Sequence, residues 1–235
     1  MLCKIADLLT EVPATGSMSS RCQDYLFTGS GTAEVEIRDN LYDCSRWPTL
    51  SHDQACYMES GEQFYIQLLR YNGLMLHASA VAMENRAFLF SGQCGMGKST
   101  HTRLWQQIWG DEAKVFNDDK PALRRMDDRW YAYGTPWCGK DGINLNMKVP
   151  LAGICFLKRG EENRIRRLSA QEAIPMILSQ TLNKFHYEST LDLLLNHVNS
   201  LVTEIPIYEL YNKPVPEAAL LSYETMRRSA EELGL

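Results

Sequence analysis

The chain has 235 residues, 45% of them hydrophobic and 23% charged, with a net charge of -5. That balance supports a folded globular core and argues against disorder and against a whole-chain basic field that would gather nucleic acid or anionic membrane. No run nears the roughly 18 apolar residues of a membrane span, and Lys4, Asp7 and Glu11 interrupt the amino terminus where a signal sequence would be apolar, so the expected location is the cytoplasm.

In chain order, the first seventy residues alternate polar loops ("ATGSMSS", "LSHDQ") with short segments such as "TAEVEIRD" and "ACYMES", which read as strands of a half-buried sheet. Phe64, Leu68 and Tyr71 have helical spacing within Gly61 to Tyr71. From Gly73, "LMLHASAVAM" and "AFLFS" flank the polar "ENR" and predict a hairpin. A glycine stretch follows, and then "KSTHTRLWQQIW" sets Leu104 with Ile108 and Trp105 with Trp109 at four-residue spacing, an amphipathic helix. "AKVFNDD" reads as a strand ending in two acids, "ALRR" and "WYAYGTP" as a hairpin, and "AGICFLKRG" and "RIRRLS" as strands. Helices are expected over residues 170–182, over 190–202 and after Pro216, with "IPIYELY" as a final strand between the last two. Seven cysteines stand singly, with no C-x-x-C pair and no histidine at finger spacing, so free thiols are expected and a structural zinc site is not.

The glycine stretch carries the chemistry. Gly92, Gly97, Lys98 and Ser99 fit G-x-x-x-x-G-K-[ST], and Gly95 adds a third permissive position. Glycines accept positive φ and carry no side chain, so consecutive N–H groups can turn inward around phosphate oxygens at the start of a helix. Gly92, Gly95, Met96, Gly97, Lys98, Ser99 and Thr100 would cradle the phosphates of a nucleotide, Lys98 would reach the β- and γ-phosphates, and the Ser99 hydroxyl would meet Mg²⁺. Such a site also needs a carboxylate at a neighbouring strand end, and "VFNDD" supplies Asp118 and Asp119, although "NDDKP" is equally good turn chemistry. His77 sits in the middle of the expected strand "LMLHASAV", flanked by the small residues Ala78, Ser79 and Ala80, and suits either a core role or one near the phosphates.

The set "LHASAVAMENRAFLFSGQCGMGKST" followed by "VFNDDKP" resembles the HPr kinase/phosphorylase-like family, and within it the smaller serine-kinase-like branch. That family shares its core with ATP-dependent phosphoenolpyruvate carboxykinases. The resemblance implies an α/β fold: a P-loop kinase core with a mixed β-sheet flanked by helices over residues 73–235, plus a β-rich amino-terminal segment, residues 1–72, packed on it. It implies ATP-dependent transfer of a γ-phosphoryl to a serine-like hydroxyl of a peptide, protein or small molecule, with Mg²⁺. Lys98 and Ser99 match the loop lysine and the magnesium hydroxyl, and His77 matches the histidine near the transferred phosphate. Asp118 and Asp119 match the acids that exchange a proton and bind metal, with Asp118 favoured as base and Asp119 as metal ligand and the reverse left open. "GTPWCGKDGINLN" resembles a segment that closes over the site, which marks Lys140 as a second cation on the transferred phosphoryl.

The later loop used for phosphate-driven dephosphorylation has no clear match here, so HPr itself is a poor expected substrate. A nucleotide-binding switch with slow hydrolysis and a carboxykinase-like lyase remain the alternatives. Trp105, Trp109, Trp130 and Trp137 could stack on an adenine, although tryptophans at helix spacing more often fill cores. The carboxy-terminal "MRRSAEEL" reads as a solvated charged face or a homo-oligomer contact.

Overall fold

The computed structural model describes residues 1–14, 16–182 and 188–235. The amino-terminal part runs β1 (Leu2–Ile5), β2 (Leu8–Glu11), α1 (Gly16–Arg21), β3 (Val35–Glu36) and α2 (His52–Leu68). Next come β4 (Gly73–Met75), β5 (Ala78–Met83), β6 (Arg86–Ser91), α3 (Lys98–Trp109), β7 (Lys114–Asp119), β8 (Ala122–Met126) and β9 (Arg129–Tyr133). The remainder is β10 (Lys148–Arg159), β11 (Arg164–Arg167), α4 (Ala170–Gln180), α5 (Glu188–Glu204), β12 (Ile207–Asn212) and α6 (Pro216–Leu233). Among the described residues no helix is long and apolar enough to cross a membrane.

Strands β1, β2 and β3 form a small sheet, and the other strands form one mixed sheet in the order β4-β8-β9-β10-β6-β5-β7, with β12 against β10 and β11 against β12. The long β10 makes this sheet curl. Its start, Lys148 to Pro150, pairs antiparallel with β9, whereas its later residues run parallel to β6 on one side and β12 on the other. The β5–β6 hairpin closes through Glu84 and Asn85, both at positive φ (51° and 57°), the backbone twist that a two-residue hairpin needs.

Strand β6 explains the apolar run before the glycines. Ala87 and Leu89 face a core completed by Ile177 of α4 and Leu194 and Val198 of α5, while Phe88 and Phe90 face the opposite core with Trp105 of α3 and Met226 of α6. A strand covered on both faces loses the polar alternation of a surface strand. A further core joins the small sheet to α2 through Tyr25, Phe64, Tyr65 and Trp137.

Two expectations change. The amino-terminal segment is more helical than β-rich, because "ACYMES" lies inside α2 and only Val35 and Glu36 of "TAEVEIRD" form a strand. Ser51 starts α2 with a capping box to Gln54, and Ala55, Glu59, Glu62, Phe64 and Leu68 are buried at helical spacing, so the apparent two-residue alternation of Ala55 to Ser60 was coincidental. His77 also leaves the strand. The N–H groups of Leu76 and His77 donate to the carbonyls of Pro121 and Gln180 instead of to a sheet partner, which interrupts the run between β4 and β5.

Candidate functional site

The parallel strands β6, β10 and β12 end at one edge of the sheet, with Phe156 opposite Ser91 and Arg159 opposite Asn212. In α/β sheets, the space beyond these carboxyl ends is where ligands are held. The glycine loop rises there from β6 and feeds α3. Gly92, Gly95 and Gly97 take φ of +142°, +78° and +90°, which a side chain would resist, so the glycine composition is a backbone requirement. Among the described residues, the N–H groups of Gly95, Gly97, Lys98, Ser99 and Thr100 have no acceptor within the chain, and the first intrahelical bond is His101 N–H to Gly97 O. An array of free amides at the start of a twelve-residue helix suits an anion.

Lys98 is buried and folds back over the loop, its Nζ donating to Gly92 O at 2.9 Å and to Gln93 O at 3.4 Å. Burial lowers its ammonium from the usual value, opposed by the nearby charges of Asp119, Cys94 and Asp118. Ser99 Oγ donates to Asp118 Oδ1 at 3.0 Å, which joins α3 to the end of β7. Two oxygen donors so placed suit a hard cation such as Mg²⁺.

The acids themselves are positioned by pairing. Ser79 lies opposite Asp118 and Ala78 opposite Asp119 in the antiparallel β5–β7 ladder, which brings the residue before β5, His77, beside the second acid. His77 Nε2 is 3.0 Å from Asp119 Oδ1, and Lys120 Nζ bonds Asp119 Oδ2. Burial alone would raise the Asp119 carboxyl, but the His77 hydrogen bond and the Lys120 ammonium outweigh it and hold it well below the usual carboxylate range. Asp119 also has φ of +116°, an unfavourable backbone for a non-glycine residue, fixed by its pairing with Ala78 and a bridge to Cys138.

The segment after β9 crosses over these acids. Gly139 N–H bonds Asp118 O, and a Cβ at Gly139 would stand 3.7 Å from Asp118 Oδ2. The turn from Gly139 to Gly142 is tied to α3 by the Asp141–Arg103 ion pair, and Lys140 is exposed on it with no ion pair among the described residues. Helix α2 braces the crossing from below: Tyr57 Oη accepts from Cys138 N–H at 2.6 Å, and Tyr65 Oη donates to Lys120 O.

Thus Lys98, Ser99, Asp118, Asp119 and His77 converge, and Lys140 sits on the crossing turn. Residues not singled out from sequence also reach the loop. Arg159 Nη2 donates to Gly95 O at 3.4 Å, and Arg159, Lys213 and Asn212 line a cavity of about 590 Å³ with Gly97 and Thr100. The available signal was the "KRG" that ends "AGICFLKRG": in a parallel sheet, that strand end lies beside the end of β6. The tryptophans do not line this cavity. Trp105, Trp130 and Trp137 are core residues, and Trp109 packs on Trp105 and Tyr223 at the far end of α3.

The family model described as "SynChlorMet cassette protein ScmC" matches residues 50–213, from just before α2 to just past β12. No curated protein matches the chain. Among solved structures, the Hpr(Ser) kinase/phosphatase from Coxiella burnetii aligns with a TM-score of 0.40 at 12% identity, over 68% of this chain and 92% of that one. At that score the functional reading rests on this chain's own residues.

Proposed function

We propose that this chain, which belongs to the ScmC family, binds Mg-ATP at the glycine loop and transfers the γ-phosphoryl to a serine-like hydroxyl. The observation that carries the reading is the alignment of five unpaired loop and helix amides with a hydroxyl–carboxylate pair, Ser99 and Asp118, at the same strand edge. A glycine loop that merely connected a strand to a helix would need neither.

The parts divide as follows. The amides of Gly95 and of residues 97–100 receive the phosphate oxygens, and Lys98 exchanges its bonds to the Gly92 and Gln93 carbonyls for the β- and γ-phosphates. The cavity at Arg159 and Lys213 takes the nucleoside, a size suited to a small ligand. Ser99 and Asp118 would hold magnesium, which when bound would offset the negative charge of the phosphates. This reverses the division favoured from sequence, on the strength of the Ser99–Asp118 contact. Asp119 has both oxygens engaged and stays ionised, which suits it to orient His77 so that the imidazole takes the proton of the acceptor hydroxyl. Lys140, from the crossing turn, meets the transferred phosphoryl as it develops charge away from the loop.

Incubation of the chain with Mg-ATP and a panel of free serine, serine-containing peptides and cell extract tests the reading by mass spectrometry. Gain of one phosphoryl group on an acceptor, absent with Lys98→Ala, is expected. Nucleotide hydrolysis with no phosphorylated acceptor would contradict transfer and favour a nucleotide-driven switch.

A further inference from the structure

Cys44, His52 and Cys56 bring three ligand atoms together at the start of α2, and none of the three belongs to the candidate site for phosphoryl transfer. Cys44 Sγ lies 3.7 Å from Cys56 Sγ, Cys56 Sγ lies 3.5 Å from His52 Nε2, and all three atoms fall within 4.8 Å of one another. Tetrahedral zinc, with bonds of about 2.3 Å to sulfur and about 2.0 Å to nitrogen, sets ligand separations of roughly 3.8 Å between two sulfurs and roughly 3.5 Å between sulfur and nitrogen. We propose that Cys44, His52 and Cys56 form a zinc site with two thiolates and one imidazole, its fourth position filled by water.

The site is built from two pieces that are held without a metal. His52 and Cys56 are one helical turn apart on α2, so their side chains share a face. Cys44 arrives on the short turn Cys44–Arg46, whose start is capped by Asp43 through Ser45 N–H. That turn is anchored to α2 beyond the ligands: Arg46 pairs with Glu59 and Glu62, and Trp47 Nε1 donates to Glu59 at 2.7 Å. The ligand atoms are therefore brought within bonding range of a single ion by contacts that the ion does not supply. His52 is exposed and both cysteines are half-buried, which gives an ion a path in and leaves room for the water. The spacing, seven residues and then three, matches no finger pattern, because the set is assembled across a loop and a helix and not within one hairpin.

Binding displaces the two thiol protons to solvent and forms two zinc–sulfur bonds and one zinc–nitrogen bond, with no change of oxidation state. It ties the 43–47 turn to the first turn of α2. Cys56 is followed by Tyr57, which bonds both backbone groups of Cys138 where the chain crosses the acids. Zinc therefore firms the end of the helix that braces the candidate active site. The proposal stands independently of the nucleotide reading.

Cobalt(II) added to the reduced full chain is the probe. One equivalent should give thiolate-to-cobalt charge-transfer absorption and the visible bands of a tetrahedral ion, displaced by one equivalent of zinc. The Cys44→Ser/Cys56→Ser double variant should lose the charge-transfer absorption, His52→Ala should bind at least tenfold more weakly, and Cys94→Ser should be unchanged. At about a hundredfold excess of zinc over its dissociation constant, the melting temperature of wild type should rise by about 5 °C. Because the variants could misfold, alkylation mapping on wild type gives a second measure: zinc should protect Cys44 and Cys56 together while exposed Cys94 reacts at its metal-free rate. Absence of the charge-transfer absorption in wild type, its survival in the double variant, or equal alkylation of Cys44 and Cys56 with and without zinc would each overturn the proposal.

Discussion

The Ser99 hydroxyl donates to the Asp118 carboxylate across 3.0 Å and joins the first turn of α3 to the end of β7. Two oxygen ligands held this way have a shared task in a magnesium-nucleotide site, so their loss should appear as a loss of metal dependence. In Ser99→Ala and Asp118→Asn, the gain in ATP affinity that magnesium gives wild type should shrink by about tenfold or more, while metal-free ATP binding stays near wild type. Calorimetry with and without magnesium checks this. Unchanged magnesium dependence in Asp118→Asn would return that role to Asp119.

His77 and Asp119 form the second pair, and their role is placed in the transfer step and not in nucleotide binding. His77→Gln should lower the rate of phosphoryl transfer by about a hundredfold, within the usual range for a lost acid–base group, with little change in the dissociation constant for Mg-ATP. Lys140→Ala should lower the rate with binding likewise retained, because its ammonium acts on charge that develops during transfer. Single-turnover rates measured beside equilibrium binding separate the two effects. Weakened binding with an unchanged transfer rate would assign both residues to the ground state.

His101 makes an acid-stability prediction. Its Nε2 contacts Ser222 Oγ at 3.0 Å and its Nδ1 is buried with no partner, so the ring is held neutral, and burial pushes its pKa down from 6.5 to about 3. The folded pKa is the lower one. The unfolded chain therefore takes up a proton that the folded ring refuses, and stability falls as pH drops below about 6.5 by up to about 1.4 kcal/mol per unit. His101→Gln should remove that dependence. Denaturant titrations at pH 6.5 and 5.0 should show wild type losing about 2 kcal/mol more than the variant, and parallel losses would contradict the assignment.

Gly61 in α2 faces Trp137, and a Cβ there would come within 2.8 Å of its ring. Trp137 is 1% exposed, stacks on Phe64 and donates to Ser60 Oγ, so it has little room to withdraw. Alanine gains about 1 kcal/mol of helix propensity over glycine, against an overpacking cost of about 1–3 kcal/mol. Gly61→Ala is expected to destabilise the chain on balance by about 1 kcal/mol, measured as a lower urea midpoint. A raised midpoint would show that the 137 segment packs more loosely on α2.

The sequence made the site more legible than the fold around it. Gly92, Gly97, Lys98 and Ser99 sit in one short stretch whose composition states a backbone requirement, and Asp118 and Asp119 end an apolar run. His77 was harder to place. Its position beside Asp119 depends on the β5–β7 register, a long-range pairing that local pattern does not carry. Arg159 and Lys213 are hidden for the same reason, since they line one cavity with the loop only because β6, β10 and β12 run parallel to a common edge. In the amino-terminal part, the "ACYMES" alternation looked like a strand because Ser51, Gln54 and Phe64 jointly define a helix longer than the window that holds the alternation.

Equilibrium binding of Mg-ATP to wild type and Lys98→Ala, by calorimetry on the full chain, tests the central claim most directly. The account predicts one site per chain in wild type and affinity at least about a hundredfold weaker in Lys98→Ala, with the folded state retained by circular dichroism. No ATP binding to wild type, or equal affinity in the two proteins, would contradict the assignment of the loop from Gly92 to Thr100 as a nucleotide phosphate site.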